Sequence, residues 1–282
     1  MKLLKFAIIV FWLVSFSWLL RQHAAPGLFS DHIQGYEGLV GSDTLVKDDW
    51  LTLHYHGDPF GYLHYKLETE DGSPDKYYRL TNTVRLKLRS TARPRPIQGT
   101  ISSTVELDLA RRLQSFNISF STMRDGTLLQ LTGERKGKEE YNVNLTLNDD
   151  SRNFPVNIPE DTVFSFPLGG YTFSRLKPGD SIAVEMIEPL TWESRRLLFN
   201  VDRRDTAILA GESIPVTIVE SEYRGIGIEF QFADDGRLIR QQTTTGLVAE
   251  RSSPETATET LRQAEGLDIG FLDPAQIPRL LQ

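Results

Sequence analysis

The sequence contains no cysteine. Disulfides, thiolate metal sites and cysteine nucleophiles are therefore excluded. The compartment stays open on this count, because exported bacterial proteins also lack the residue. No histidine follows His64. Hydrolase elbows, P-loops, zincin helices and Rossmann glycine sets are missing too. Positive charge is in deficit: the chain carries a formal net charge of -7. Lys2, Lys5 and Arg21 are the only charges in the first 30 residues. Setting them aside leaves 28 of the 31 basic side chains against 38 acidic ones, a balance of -10 over residues 31–282. Such a surface repels nucleic acid and anionic headgroups, so nucleic-acid binding is excluded. Long repeats and low-complexity segments are absent.

One long apolar run is present. Lys2 and Lys5 precede Phe6–Leu20 (FAIIVFWLVSFSWLL), and Arg21 closes it. A basic start and a short apolar run make the n-region and h-region of an export signal. With Leu3 and Leu4 the run approaches the roughly 20 residues that span a bilayer. His23 and Pro26 beside Ala24 and Ala25 make a poor small-residue cleavage site, and Trp18 suits a membrane interface. Residues 1–21 are therefore expected to stay as a signal anchor, a single transmembrane helix with the domain outside. Cleavage would make the protein secreted instead. Residues 22–49 read as a tether punctuated by Gly27, Gly35, Gly38 and Gly41.

From Trp50 the text alternates with period two. Val84/Leu86/Leu88, Ile101/Val105/Leu107, Phe116/Ile118/Phe120 and Val143/Leu145/Leu147 each alternate with polar residues. Ile182/Val184/Met186, Leu197/Phe199/Val201, Ile214/Val216/Ile218 and Ile226/Ile228/Phe230/Phe232 follow. Asp71-Gly72, Asp125-Gly126 and Asp235-Gly236 are hairpin signals, because these residues accept positive φ cheaply. Short sequential strands with tight turns imply an antiparallel meander over residues 50–251, dry on one face and wet on the other. Ser151–Leu176 interrupts the pattern with Pro155, Pro159, Pro167 and five aromatic residues. Proline removes ladder donors, so this segment reads as a lid or crossover between two halves of one sheet. Ser252-x-x-Glu255 reads as a capping box opening a helix that ends near Gly266, and residues 252–282 form a helix and tail.

Few helices are available to cover the apolar face of so many strands. The all-β fold must curl into a half-barrel or sandwich, or be plugged by a segment or a ligand. His54 and His56 share a face at i and i+2, and His64 lies beyond an expected Gly57–Gly61 turn, so the three are the metal candidates. Too few further ligands lie nearby, and no metal or cofactor is expected. The carboxylate pairs Asp48-Asp49, Asp149-Asp150 and Asp234-Asp235 read as solvated turn residues, not glycosidase acids. No catalytic, cofactor-binding or metal-binding residue is assigned. The sequons at Asn117 and Asn144 are inert in a bacterial protein.

Trp50-Leu51-Thr52-Leu53 followed by Gly57-Asp58-Pro59-Phe60-Gly61-Tyr62 resembles the opening hairpin of a group of bacterial periplasmic β domains of unassigned function. Leu176–Asp180, Gly211–Ile214, Asp235–Ile239 and Gly246–Glu255 match its later turns and closing strand. Members of that group often accompany transglutaminase-like modules and are similar in fold to lipoprotein-carrier (Lol-type) half-barrels. The resemblance covers roughly residues 50–260, rests mainly on turns, and carries over no catalytic residue. Without cysteine, any transglutaminase-like partner must be a separate chain. The expectation is a membrane-anchored, periplasmic, non-enzymatic binding or assembly domain for an apolar ligand or an envelope protein, possible partners being that separate chain or a transporter. An enzyme of unfamiliar design and a ligand-free scaffold are the alternatives.

Overall fold

The alternating runs become strands, and their turns set the register. The computed structural model describes residues 31–33, 35–39, 47–70, 77–91, 95–148, 150–164, 173, 176–189 and 191–270. The expected anchor at residues 1–21 and the Asp71-Gly72 turn lie outside them. Among the described residues no helix is long and apolar enough to cross a membrane.

The first half is a meander of β2 (Lys47–Tyr55), β3 (Asp58–Glu70), β4 (Tyr77–Arg89), β5 (Ile97–Leu107), β6 (Leu113–Thr122), β7 (Gly126–Arg135), β8 (Glu140–Leu147) and β9 (Asp150–Asn157). The second half is β11 (Ser181–Ile187), β12 (Ser194–Leu209), β13 (Glu212–Tyr223), β14 (Ile226–Ala233), β15 (Leu238–Thr243) and β16 (Leu247–Ser252). Antiparallel pairing of β16 with β2 joins the halves into one large open sheet. Its outermost long strands are β9 and β11, so the chain leaves the sheet at one edge and re-enters it at the other, as the Ser151–Leu176 reading expected. The first part of that segment is nevertheless a strand. Residues 150–157 pair along β8 with Pro155 opposite Asn142, which an edge strand permits because the proline nitrogen can face away from the ladder.

The edge of β11 is covered by two short parallel strands placed end to end. These are β1 (Asp31–Ile33) against Ile182–Val184 and β10 (Thr162–Val163) against Glu185–Met186. The segment read as a tether therefore contributes to the sheet, and β2 begins at Lys47, three residues before Trp50. Between β1 and β10 lies α1 (Gly35–Leu39). Gly35 has φ +53, and a Cβ there would lie 2.3 Å from the Glu160 carbonyl oxygen. That close approach lets its N–H reach the Asp161 carbonyl at 3.0 Å.

Three hairpins turn on residue pairs with both φ values positive: His56-Gly57, Ala210-Gly211 and Arg224-Gly225. These are the primed turns whose twist matches the strands. The sequence shows them only as a glycine between two runs. Irregular register at Leu53/His54, Phe120/Ser121, Val201/Arg203 and Gln231/Phe232 bends the sheet, the usual consequence of bulges. The sheet thereby curls around one core that draws on both halves, from Leu51, Leu80, Val105, Phe116 and Val143 to Val184, Phe199, Val219, Phe230 and Phe232.

The outer face is not uniformly wet. Val216 and Ile218, which alternate with Thr217 and Val219 along β13, form a small outer cluster with Ala233 and Ile239. The apolar run Ile214/Val216/Ile218 is thus turned away from the main core, while Val219 faces it. A second outer patch forms where the helix α2 (Pro254–Gln263) lays Ala257 and Leu261 on Tyr62 and Trp50. Its N-cap is Ser253, whose hydroxyl accepts from the Thr256 N–H, and not Ser252, which ends β16. Lys87 donates to the carbonyls of Arg262 and Ala264 at 2.8 and 2.9 Å, closing the helix C-terminus. The chain then forms β17 (Leu267–Asp268), parallel to Leu88-Arg89 of β4.

Candidate functional site

Register converts the strands of the first half into rows that run across the concave face. The lowest is Leu67, Leu80, Val105, Phe116, Gly133, Val143 and Phe154. Gly133 is needed there: a Cβ on it would lie 2.1 Å from Cζ of Phe116, whose ring covers the glycine. This end is filled. Phe173, from the crossover, is fully buried and stacks on Phe232 with centroids 5.2 Å apart, and it meets Phe199 at the same distance. Phe173 thus plugs the core.

The next row begins polar: Asp49, Tyr65, Asn82 and Ser103, then Ile118, Leu131 and Leu145. Asp49 is only 4% exposed and its Oδ1 accepts from Arg251 Nη2 at 2.6 Å. The expectation that Asp48-Asp49 is a solvated turn is wrong. Both lie in β2, and the phase of Leu51 and Leu53 puts Asp49 on the dry face, a sign that was present in the sequence. Burial lowers the Lys47 amine below its usual range, against the pull of Asp49 and Asp235. Burial raises the Tyr65 hydroxyl well above its usual range, and Asp49 and then Tyr36 add to it. Burial likewise pushes Tyr141 up to about 12 despite Arg135, and its hydroxyl donates to the Leu113 carbonyl at 2.8 Å.

Above this lies a wholly apolar row: Leu51, Leu63, Val84, Ile101, Phe120, Leu129 and Leu147. Here the filling stops. Ile101 is 41% exposed although Val105, four residues along the same face, is 1% exposed. Leu63, Val84, Ile118 and Phe120 around it are half-buried. The alternation puts Ile101, Val105, Phe116, Ile118, Phe230 and Phe232 on the dry face; Val105, Phe116, Phe230 and Phe232 are buried in the core and Ile118 packs against it, while Ile101 opens to solvent. The concave face is thus closed at one level and accessible at the next.

The three histidines do not converge. His56 is the first residue of a hairpin turn, with φ 50. His54 approaches the Thr52 hydroxyl at 3.2 Å. His64 stacks on Trp50 at 4.0 Å, and its Nε2 meets Asp48 Oδ1 at 2.8 Å. Of the expected Gly57–Gly61 turn, only Gly57 is in the turn, with His56; Asp58–Gly61 begin β3. Among the described residues no group of three or more candidate ligands could hold a metal ion. A trough of about 700 Å³ on the outer face of β12–β15 is lined by Asn200, Glu220, Glu229 and Gln242 with Arg196 to one side.

The class that these features define is an all-β domain on one large, open, mostly antiparallel sheet. No family model matches the chain, and no curated protein matches it. A solved structure of a DUF1089-family protein from Pseudomonas aeruginosa aligns with TM-score 0.33 and 12% identity over 63% of this chain and 87% of that one. A likeness at that level carries no further argument.

Proposed function

We propose that the chain is a non-enzymatic binding domain, held in the inner membrane by residues 1–21 and facing the periplasm, that takes an apolar ligand on the concave face of its sheet. The observation that carries this reading is Ile101. An inward-facing isoleucine on a central strand is ordinarily covered by the core, and here it remains open within an apolar row. A surface of this kind on an otherwise charged chain marks an interaction site. The resemblance to periplasmic half-barrels supports the same reading and points to a separate transglutaminase-like protein or transporter as the neighbour in the pathway.

The test is titration with a polarity-sensitive apolar dye. The wild type is expected to bind it saturably. Ile101→Glu should abolish binding with little change in thermal midpoint, because the side chain is already partly in water. Equal binding by Ile101→Glu would reject the site. Intact mass of the membrane-extracted protein tests the anchor, which is lost if the mature chain starts at Ala25 or Pro26.

A further inference from the structure

All but one of the boundaries around the curled sheet are ladders of backbone hydrogen bonds. Among the described residues the exception is the seam between β9 and the β11 edge. Among the described residues β9 pairs with β8 alone, and the edge of β11 is occupied by β1 and β10. Side chains bridge this seam. The turn between β11 and β12 extends Trp192 across it, edge-on to Phe154 of β9 at 6.0 Å and to Phe164 beyond β10 at 6.0 Å, with Phe116 of β6 at 6.3 Å.

Trp192 reaches that position at a backbone cost. Its φ is 59, a region that bulky side chains avoid and that glycine adopts freely. The turn holds it there. Trp192 N–H donates to the Glu188 carbonyl at 2.8 Å, and Glu188 N–H donates to the Glu193 carbonyl at 3.0 Å. The Glu188 carboxylate also receives Arg224 at 2.6 Å and the Thr191 hydroxyl at 3.3 Å. A strained residue that the surroundings hold in place, at a boundary with no strand ladder among the described residues, is the arrangement of a switchable element.

We propose that this seam is where the half-barrel opens, with Trp192 as the latch. Opening separates β9 from the β11–β12 turn by parting aromatic rings, with no ladder broken, so the rest of the sheet stays intact. This opening does not depend on what the interior binds.

The test uses hydrogen exchange of the full chain, resolved by peptide, in three forms: wild type, Trp192→Gly and Trp192→Phe. Glycine removes the ring and also the backbone strain, so the two roles of the position predict opposite signs. If Trp192 is the latch, Trp192→Gly speeds exchange in peptides covering β9 and residues 188–193 at least tenfold, leaves β3–β5 unchanged, and is largely reversed by Trp192→Phe. If it is only a strained turn residue, Trp192→Gly slows exchange at the turn and overturns the proposal. Unchanged exchange at the seam, phenylalanine no better than glycine, or equal acceleration in all strands would overturn it as well.

Discussion

Asp49 is a charged residue whose burial is set by strand phase. Lys47, Asp49, Leu51 and Leu53 share one face of β2, so the alternation that buries the leucines takes the carboxylate in with them. Arg251, on the strand that joins the two halves, meets it there. A buried pair of this kind is weak evidence for stability as a unit, but removing one partner strands the other charge. Asp49→Ala is expected to destabilise the domain by about 3–5 kcal/mol in urea unfolding. The double change Asp49→Leu with Arg251→Met should recover most of that loss. If the single and double variants lose the same amount, the pair is not what matters. The pair was legible in phase but not in partner, since 202 residues separate the two. His56 illustrates the reverse case. Its spacing from His54 made it a metal candidate, and its fold position is that of a turn residue beside a glycine.

At the scale of elements, the alternation named most strands, and the proline-rich segment was correctly separated from the central ladders. Two matters were illegible. Alternation does not say which face of a strand is the core: Val216 and Ile218 face outward while their neighbour Val219 faces the core. Short strands such as β1 and β10 have no pattern of their own and exist because β11 offers unpaired groups. Together with the exposed Arg152 and Pro155 on β9, they leave neither end of the sheet as a long, flat, apolar edge. Open edges of that kind recruit other chains, and short strands, charge and proline suppress it. The C-terminal helix shows the same dependence. Its N-cap is a local signal, but it ends at Gln263 with Ala264 as C-cap, short of the expected Gly266, and its docking needs Lys87 on β4 to reach two carbonyls at its end.

Across the whole molecule, the concave face divides into a plugged level and an open level, and substitution by a larger residue separates them. Val105→Phe, in the filled row, should cost about 1–3 kcal/mol through overpacking. Ile118→Phe, beside Ile101, should leave unfolding nearly unchanged and weaken dye binding. Comparable destabilisation by both, with binding intact, would mean that the face is filled throughout. What the sequence by itself determined is the all-β class, the phase of most strands, the crossover and the lack of thiol chemistry, because these follow from composition and from the period-two geometry of a strand. What only the tertiary structure decided is how far the sheet curls, that Phe173 fills one end, that Ile101 stays open, and that Trp192 spans the seam. Those outcomes depend on bulges, twist and contacts between residues far apart in the chain, and no local pattern encodes them.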